Sequence, residues 1–218
     1  MNKDTTTEKL IDISISLSSE TNLNRLLEKI VYELRTIFKA DGGSLYLREH
    51  DRLRFEIAQN DTLKRLKGKD YSLLFKSYEI PINEFSIAGY VALTGTSLNI
   101  PNVSRLPSDL TYHFDTSFDK RNNYQTQSLL ALPLKDTKGE VVGVLQLINA
   151  QGEGGQVIPF SPLLEDLVRA LASQAAVAIN NARLLETLEK LRAAEKKRYH
   201  HHLEAIFRAS KMPSLPWI

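Results

Sequence analysis

SLLALPLKDTKGEVVGVLQLIN, residues Ser128 to Asn149, reads as two buried strands joined by a tight polar turn. Both arms are dominated by Leu, Val and Ile, and Lys135-Asp136-Thr137-Lys138-Gly139 between them carries the charges and the glycine of a hairpin loop. Pro133 cannot donate to a ladder, so it belongs at a strand end or on an edge. The stretch defines the core of a sheet.

Upstream, Ser44-Leu45-Tyr46-Leu47-Arg48 and Leu53-Arg54-Phe55-Glu56-Ile57-Ala58 alternate as strands do and form a first hairpin across His50-Asp51-Arg52. Before it, Leu23, Leu26, Leu27, Ile30, Val31, Leu34, Ile37 and Phe38 mark an amphipathic helix, capped by Thr21 or Asn22 and stopped by Ala40-Asp41-Gly42-Gly43. Gln59 to Tyr78 reads as a variable connection with a short helix, and Tyr78 to Ile82 as a strand. Ser86 to Gly95 carries an N-cap serine, a helix-period apolar face and a terminal glycine, which predicts a compact short helix. Leu98 to Ile100 adds a short strand. Pro101 to Gln127 is a long polar and aromatic loop, a composition that inside a compact domain is usually functional. From Ser161, with Pro162 at the first helical position, a very long helix begins. Its buried stripe runs Leu164, Leu167, Leu171, Ala175, Ala178, Ala182 and Leu185, and Leu188, Leu191, Glu195, Tyr199, Leu203 and Ile206 continue it as a weakened heptad seam. At ~1.5 Å per residue a helix from Ser161 to Ser210 is about 75 Å long and projects from a small domain.

The order and wording of these blocks, with Phe85-Ser86-Ile87-Ala88-Gly89-Tyr90-Val91-Ala92-Leu93-Thr94-Gly95 ahead of Leu98-Asn99-Ile100-Pro101-Asn102-Val103, resemble a GAF domain. That is the small-molecule sensor module of cyclic-nucleotide phosphodiesterases and many bacterial signalling proteins. The resemblance covers roughly Leu23 to Leu188. It implies an α+β fold of the GAF/PAS-like type, a central antiparallel sheet flanked by helices with long N- and C-terminal helices. The expected organisation is a helical extension over 1–20, the GAF domain over 21–185, a coiled-coil-like signalling helix over 186–211 and a tail over 212–218.

Composition narrows the function. A formal net charge of +2 offers no nucleic-acid stripe and no polybasic membrane anchor. No apolar run approaches the ~20 residues of a membrane span, and the first residues lack the apolar core of a signal peptide, so a cytoplasmic chain is expected. Without a single cysteine there is no disulfide, no zinc-thiolate site and no thiol nucleophile. GAF-fold proteins that reduce free methionine sulfoxide, or that hold a bilin through a thioether, use cysteine, and neither chemistry is open to this chain by those means. His200-His201-His202 point in different directions around a helix and make a poor metal site. His113 is the one histidine near the suspected pocket, where it would ligate haem iron or shuttle a proton. Asp109, Asp115 and Asp119 lack the glycine and terminal glutamate of a calcium loop. No phosphate-cradling or serine-elbow motif is present, so no catalytic or metal residue is assigned and a non-catalytic regulatory domain is expected.

The candidate ligand-binding residues are Ser44, Ile87, Ala88, Asn102, Phe114, Asp115, Tyr124, Thr126 and Ser128, enclosing a small molecule between the sheet and Pro101 to Gln127. Ile87 and Ala88 open a helix whose unpaired N–H groups receive an anionic or carbonyl oxygen. Tyr124-Gln125-Thr126-Gln127-Ser128 resembles the aromatic-x-Thr-x-Asn/Ser element of cyclic-nucleotide-binding members, where an aromatic stacks on a base and polar groups bond its edge. Those members also carry Asn-Lys after the last core strand and Phe-x-x-x-Asp-Glu beyond it, joined by a Lys–Asp salt bridge. Here Asn149-Ala150 and Phe160-Ser161-Pro162-Leu163-Leu164-Glu165 keep the asparagine, phenylalanine and glutamate but replace both charged partners, which argues against a cyclic nucleotide. The ligand is unknown. Expected partners are that ligand, a second copy through the terminal helices, whose seam includes Leu10, Ile13 and Leu17, and an effector. The alternative is a structural module that transmits through its helices with no ligand.

Overall fold

The computed structural model describes residues 15, 17, 19–68, 71, 74–75, 78–162 and 165–210. Its elements are α1 (Leu23–Ile37), β1 (Ala40–Glu49), β2 (Arg52–Asn60), α2 (Asp61–Lys67), β3 (Glu79–Pro81), α3 (Ile87–Thr94), β4 (Leu98–Ile100), α4 (Ser117–Asn122), β5 (Leu129–Lys135), β6 (Val141–Gln151), β7 (Val157–Ile158) and α5 (Glu165–Ser210). The strands form an antiparallel sheet ordered β3-β2-β1-β6-β5-β4, with β7 paired to the end of β6. The opening hairpin supplies β5 and β6, and Ser44 to Ala58 falls within β1 and β2, as the alternation predicts.

Period-two alternation sorts the side chains onto two faces. Leu45 and Leu47 of β1, Leu130, Leu132 and Leu134 of β5, and Leu145 and Leu147 of β6 join the buried faces of α1 and α5 in one apolar cluster. Tyr46, Leu129, Ala131 and Val144 point the other way, into a second cluster with α3, Phe55, Ile100 and Val103. Helices therefore cover one face, and α3 with the segment after β4 covers the other. Pro133 sits opposite Val144 of β6, beyond the Leu129 to Ala131 stretch that pairs with β4, so its missing donor lies where β5 has no second neighbour.

The caps follow from their side chains. Asn22 Oδ1 accepts from Arg25 N at 3.1 Å at the start of α1, and Ser86 Oγ accepts from Gly89 N at 3.0 Å at the start of α3. Gly95 closes α3 at φ 63°. Two expectations are corrected. Ala40 to Gly43 do not merely end α1; they are the first residues of β1. A side chain at Gly43 would sit 3.0 Å from Arg35 Cγ and 3.1 Å from Val31 Cγ1, so glycine here is what lets α1 lie close on the strand. Leu17, expected on an exposed seam, is 3 % exposed and belongs to the first cluster of its own chain; Leu10 and Ile13 lie outside the described residues.

α5 is described from Glu165 rather than from Ser161, and Leu164 lies outside the described residues. Leu171, Ala172, Ala175, Ala176, Ile179 and Ala182 are buried, the small side chains allowing close contact. Leu185, expected in that stripe, is 42 % exposed. With 46 residues the helix is about 69 Å long, and from Leu184 to His202 every side chain is exposed. No helix among the described residues is long and apolar enough to cross a membrane.

Candidate functional site

The segment between β4 and β5 is closed at its base by one hydrogen bond, Val103 N to Gln127 O at 2.8 Å. Its middle docks on the start of α3, where His113 N donates to Phe85 O at 3.0 Å. α4 lies within it and ends at Asn123, whose φ of 50° is a conformation asparagine tolerates.

A buried polar latch holds the segment to the sheet. Tyr124 Oη donates to Asp41 Oδ2 at 2.7 Å and accepts from Asn149 Nδ2 at 2.9 Å. Asn149 Nδ2 also donates to Gln125 O at 2.8 Å, and its Oδ1 accepts from Gln127 N at 2.7 Å. Asp41 Oδ1 in turn accepts from Thr62 Oγ1 at 2.8 Å, while Arg35 donates to the Asp41 carbonyl at 2.8 Å and pairs with Asp61 at 2.6 Å. Burial and the neighbouring Asp41 carboxylate hold the Tyr124 hydroxyl far above its ordinary pKa, so it remains a donor. α1, β1, α2, β6 and the segment thus meet in one network.

Between the segment and the sheet, aromatic rings occupy the space. Phe55 stacks on Tyr78 with centroids 5.0 Å apart, and Phe75 stacks on Phe55 at 6.2 Å and on Phe118 of α4 at 5.6 Å. The open volume lies within the segment itself. It is a cavity of about 510 Å³ walled by residues between Val103 and Thr126, including Ser104, Leu106, Ser108, Tyr112, Phe114, Asp119, Tyr124 and Thr126.

Of the nine candidate residues, Phe114, Tyr124 and Thr126 line this cavity. Ser44 is half-buried on β1, opposite Ala58 and Gln146. Ile87 and Ala88 are buried in the second cluster. Asn102 Oδ1 accepts from Ser104 N at 2.9 Å and caps a 3-10 turn. Asp115 Oδ1 accepts from Ser117 N at 2.8 Å, and the Ser117 hydroxyl and amide lower its pKa. Ser128 is fully buried, its Oγ accepting from Ala150 N at 3.1 Å. Sequence reasoning passed over two residues. Asp41 gave no signal beyond a carboxylate beside two glycines, and Asp119 was weighed only as a calcium ligand.

Asp119 is 9 % exposed. Its Oδ2 accepts from Thr126 N at 2.7 Å and its Oδ1 from Thr126 Oγ1 at 3.1 Å. Desolvation outweighs these bonds and raises its pKa. A raised folded-state value means that the stabilising contribution of this group is present in acid and is lost as pH rises from the ordinary value of about 3.9 through the folded one. Asp119→Asn keeps an acceptor for Thr126 N and a donor for its hydroxyl, so we expect the variant to gain on the wild type as pH rises through that window. Asp119→Ala strands the Thr126 amide and is expected to lose about 2 kcal/mol at neutral pH. Urea denaturation of the three proteins between pH 4 and 8 checks both statements; an unchanged wild-type to Asn difference across that range would contradict the first.

The profile of the GAF domain matches residues 22–179. The chain is 26% identical over 192 residues to the dual 3′,5′-cyclic-AMP and -GMP phosphodiesterase 11 of Drosophila melanogaster, an alignment covering 82% of this chain and 12% of that protein. GAF domains of the phosphoenolpyruvate-protein phosphotransferases of Acinetobacter and Coxiella burnetii share the fold, each with a TM-score of 0.63 over 86% of this chain and 99% of theirs, at 18% and 19% identity. With its sheet order, its flanking helices and a profile match over most of its length, the chain belongs to the GAF domain family.

Proposed function

We propose that this chain is a non-catalytic sensory domain that binds a small molecule in the cavity of segment 103–126 and passes the event to α5 in a homodimer, and from there to an effector. GAF domains are in general small-molecule sensor and regulatory modules. The observation that carries the reading is the cavity with the latch behind it. Thr126 is bonded to the Asp119 wall, the following Gln127 amide is held by Asn149, and the next residue, Ala150, is buried with Phe160 in the cluster that seats α5. A ligand that favours one arrangement of the segment thereby biases the helix, by no more than its own preference between the two arrangements. Molecules released on denaturing natively purified protein, identified by mass spectrometry and titrated back, are expected to bind one per chain and to slow amide exchange in 103–126 and in the first turns of α5.

The aromatic stack on the sheet favours a second reading, a ligand-free transmitter whose family pocket is filled by its own side chains. Protein that releases nothing, and whose exchange no metabolite extract alters, supports it. Ala150 and Leu164 in place of a charged pair weigh against a cyclic nucleotide in either case.

The dimer rests on the apolar residues that α5 leaves exposed. Leu184, Leu188 and Leu191, at steps of four and three, are 60 %, 42 % and 62 % exposed, and Tyr199 and Ile206 continue the stripe. Light scattering at micromolar concentration is expected to give twice the 24.7 kDa chain mass. Leu188→Glu with Leu191→Glu should give a folded monomer, because neither side chain touches the domain core. A wild-type monomer across all concentrations would remove the dimer.

A further inference from the structure

We infer that the cavity takes a small organic cation, its charged nitrogen held against Asp119; this rests on the reading above that the cavity is a ligand site. Asp119 is buried, yet it forms part of the cavity wall. Each of its oxygens receives a bond from Thr126, and an ionised carboxylate has about four acceptor sites, so acceptor capacity remains. Among the described residues no ion pair to Asp119 is formed. The charge is thus desolvated and uncompensated, which is also why its pKa rises.

Three aromatic side chains, Tyr112, Phe114 and Tyr124, share the wall with this carboxylate. Aromatic residues lining a cavity together with a buried anion are the chemistry that recognises an alkylammonium group, through cation–π attraction and a short-range ion pair. An anionic ligand would meet the buried carboxylate instead. The lysine on the wall, Lys120, is exposed and screened by solvent. It disfavours a second positive charge at the mouth, so a monocation is the better fit. Among the described residues no group of three metal-ligating side chains stands together, which sets the site apart from a metal centre.

The test is calorimetry and thermal melting of the full chain with choline and isopentylamine, with 3,3-dimethylbutanol as the uncharged isostere of choline, and with cyclic GMP and glutarate as anions. The cations are expected to bind and to raise the melting temperature, the isostere at least tenfold more weakly. Asp119→Asn should lose at least tenfold in choline affinity while still melting cooperatively. A second variant, Phe114→Leu, keeps the apolar volume and should weaken choline more than the isostere. Equal binding of choline and its isostere, or equal binding of choline by wild type and Asp119→Asn, overturns the assignment. If an anion binds and no cation does, the cation is wrong and the cavity remains a ligand site. If no probe binds and native protein releases no molecule, both fail.

Discussion

Ala150→Lys is expected to lose about 3–5 kcal/mol, a large share of the stability of an ordinary domain. Ala150 is 4 % exposed at the end of β6, in the cluster that contains Phe38 and Phe160, whose rings lie 6.1 Å apart. In cyclic-nucleotide-binding relatives a lysine at this place of the pattern pairs with an aspartate; here the sequence offers Leu164 instead, so the ammonium group would be buried without that aspartate. Ala150→Met adds comparable length without charge and should lose only about 1–3 kcal/mol. Urea unfolding of the two variants separates charge from volume. Equal losses would mean that crowding alone decides the position and that the departure from the family pattern carries no electrostatic meaning.

The second large effect lies one residue earlier. Asn149→Ala removes the donor to Tyr124 Oη and to Gln125 O and the acceptor for Gln127 N, all at a residue 3 % exposed. At about 1 kcal/mol per bond the loss is about 3 kcal/mol. Asn149 also sits at φ 56°, where alanine is strained and glycine is not, so Asn149→Gly should recover the backbone part alone. Because the bonds anchor the segment rather than the sheet, limited proteolysis should cut 101–127 in both variants well before the core unfolds. A segment in either variant as resistant as in the wild type would show that the latch does not hold it.

Strand alternation made the sheet legible in advance. Leu130, Leu132 and Leu134 against Leu129 and Ala131 give the faces of β5 without any knowledge of partners. Gly42 and Gly43 misled because the reason for glycine is close approach from other elements, of Asn60 and Ile148 at Gly42 and of Arg35 and Val31 at Gly43, which a local reading cannot register. Asn102 and Asp115 read in the sequence as polar groups for a ligand, and in the structure each caps the backbone two residues on; asparagine and aspartate serve both ends, and the sequence does not separate them. The latch was invisible for a different reason. Tyr124 and Asp41 are 83 residues apart, and it takes the pairing of β1 with β6 and of β6 with β5 to bring β1 beside the segment that leads into β5. Asn149 was noticed through the family pattern, but its three bonds were not deducible from it.

Blocking the cavity within segment 103–126 separates a ligand site from an empty hollow. Ser108 lines the cavity from an exposed position, so Ser108→Trp fills the space without disturbing the core. Wild type and Ser108→Trp, purified natively side by side and denatured, are compared by mass spectrometry for small molecules released per chain. A molecule near one per chain is expected from the wild type and none from Ser108→Trp, at equal melting temperatures of the emptied proteins; equal release from both, or release from neither, would mean that the cavity is not a ligand site.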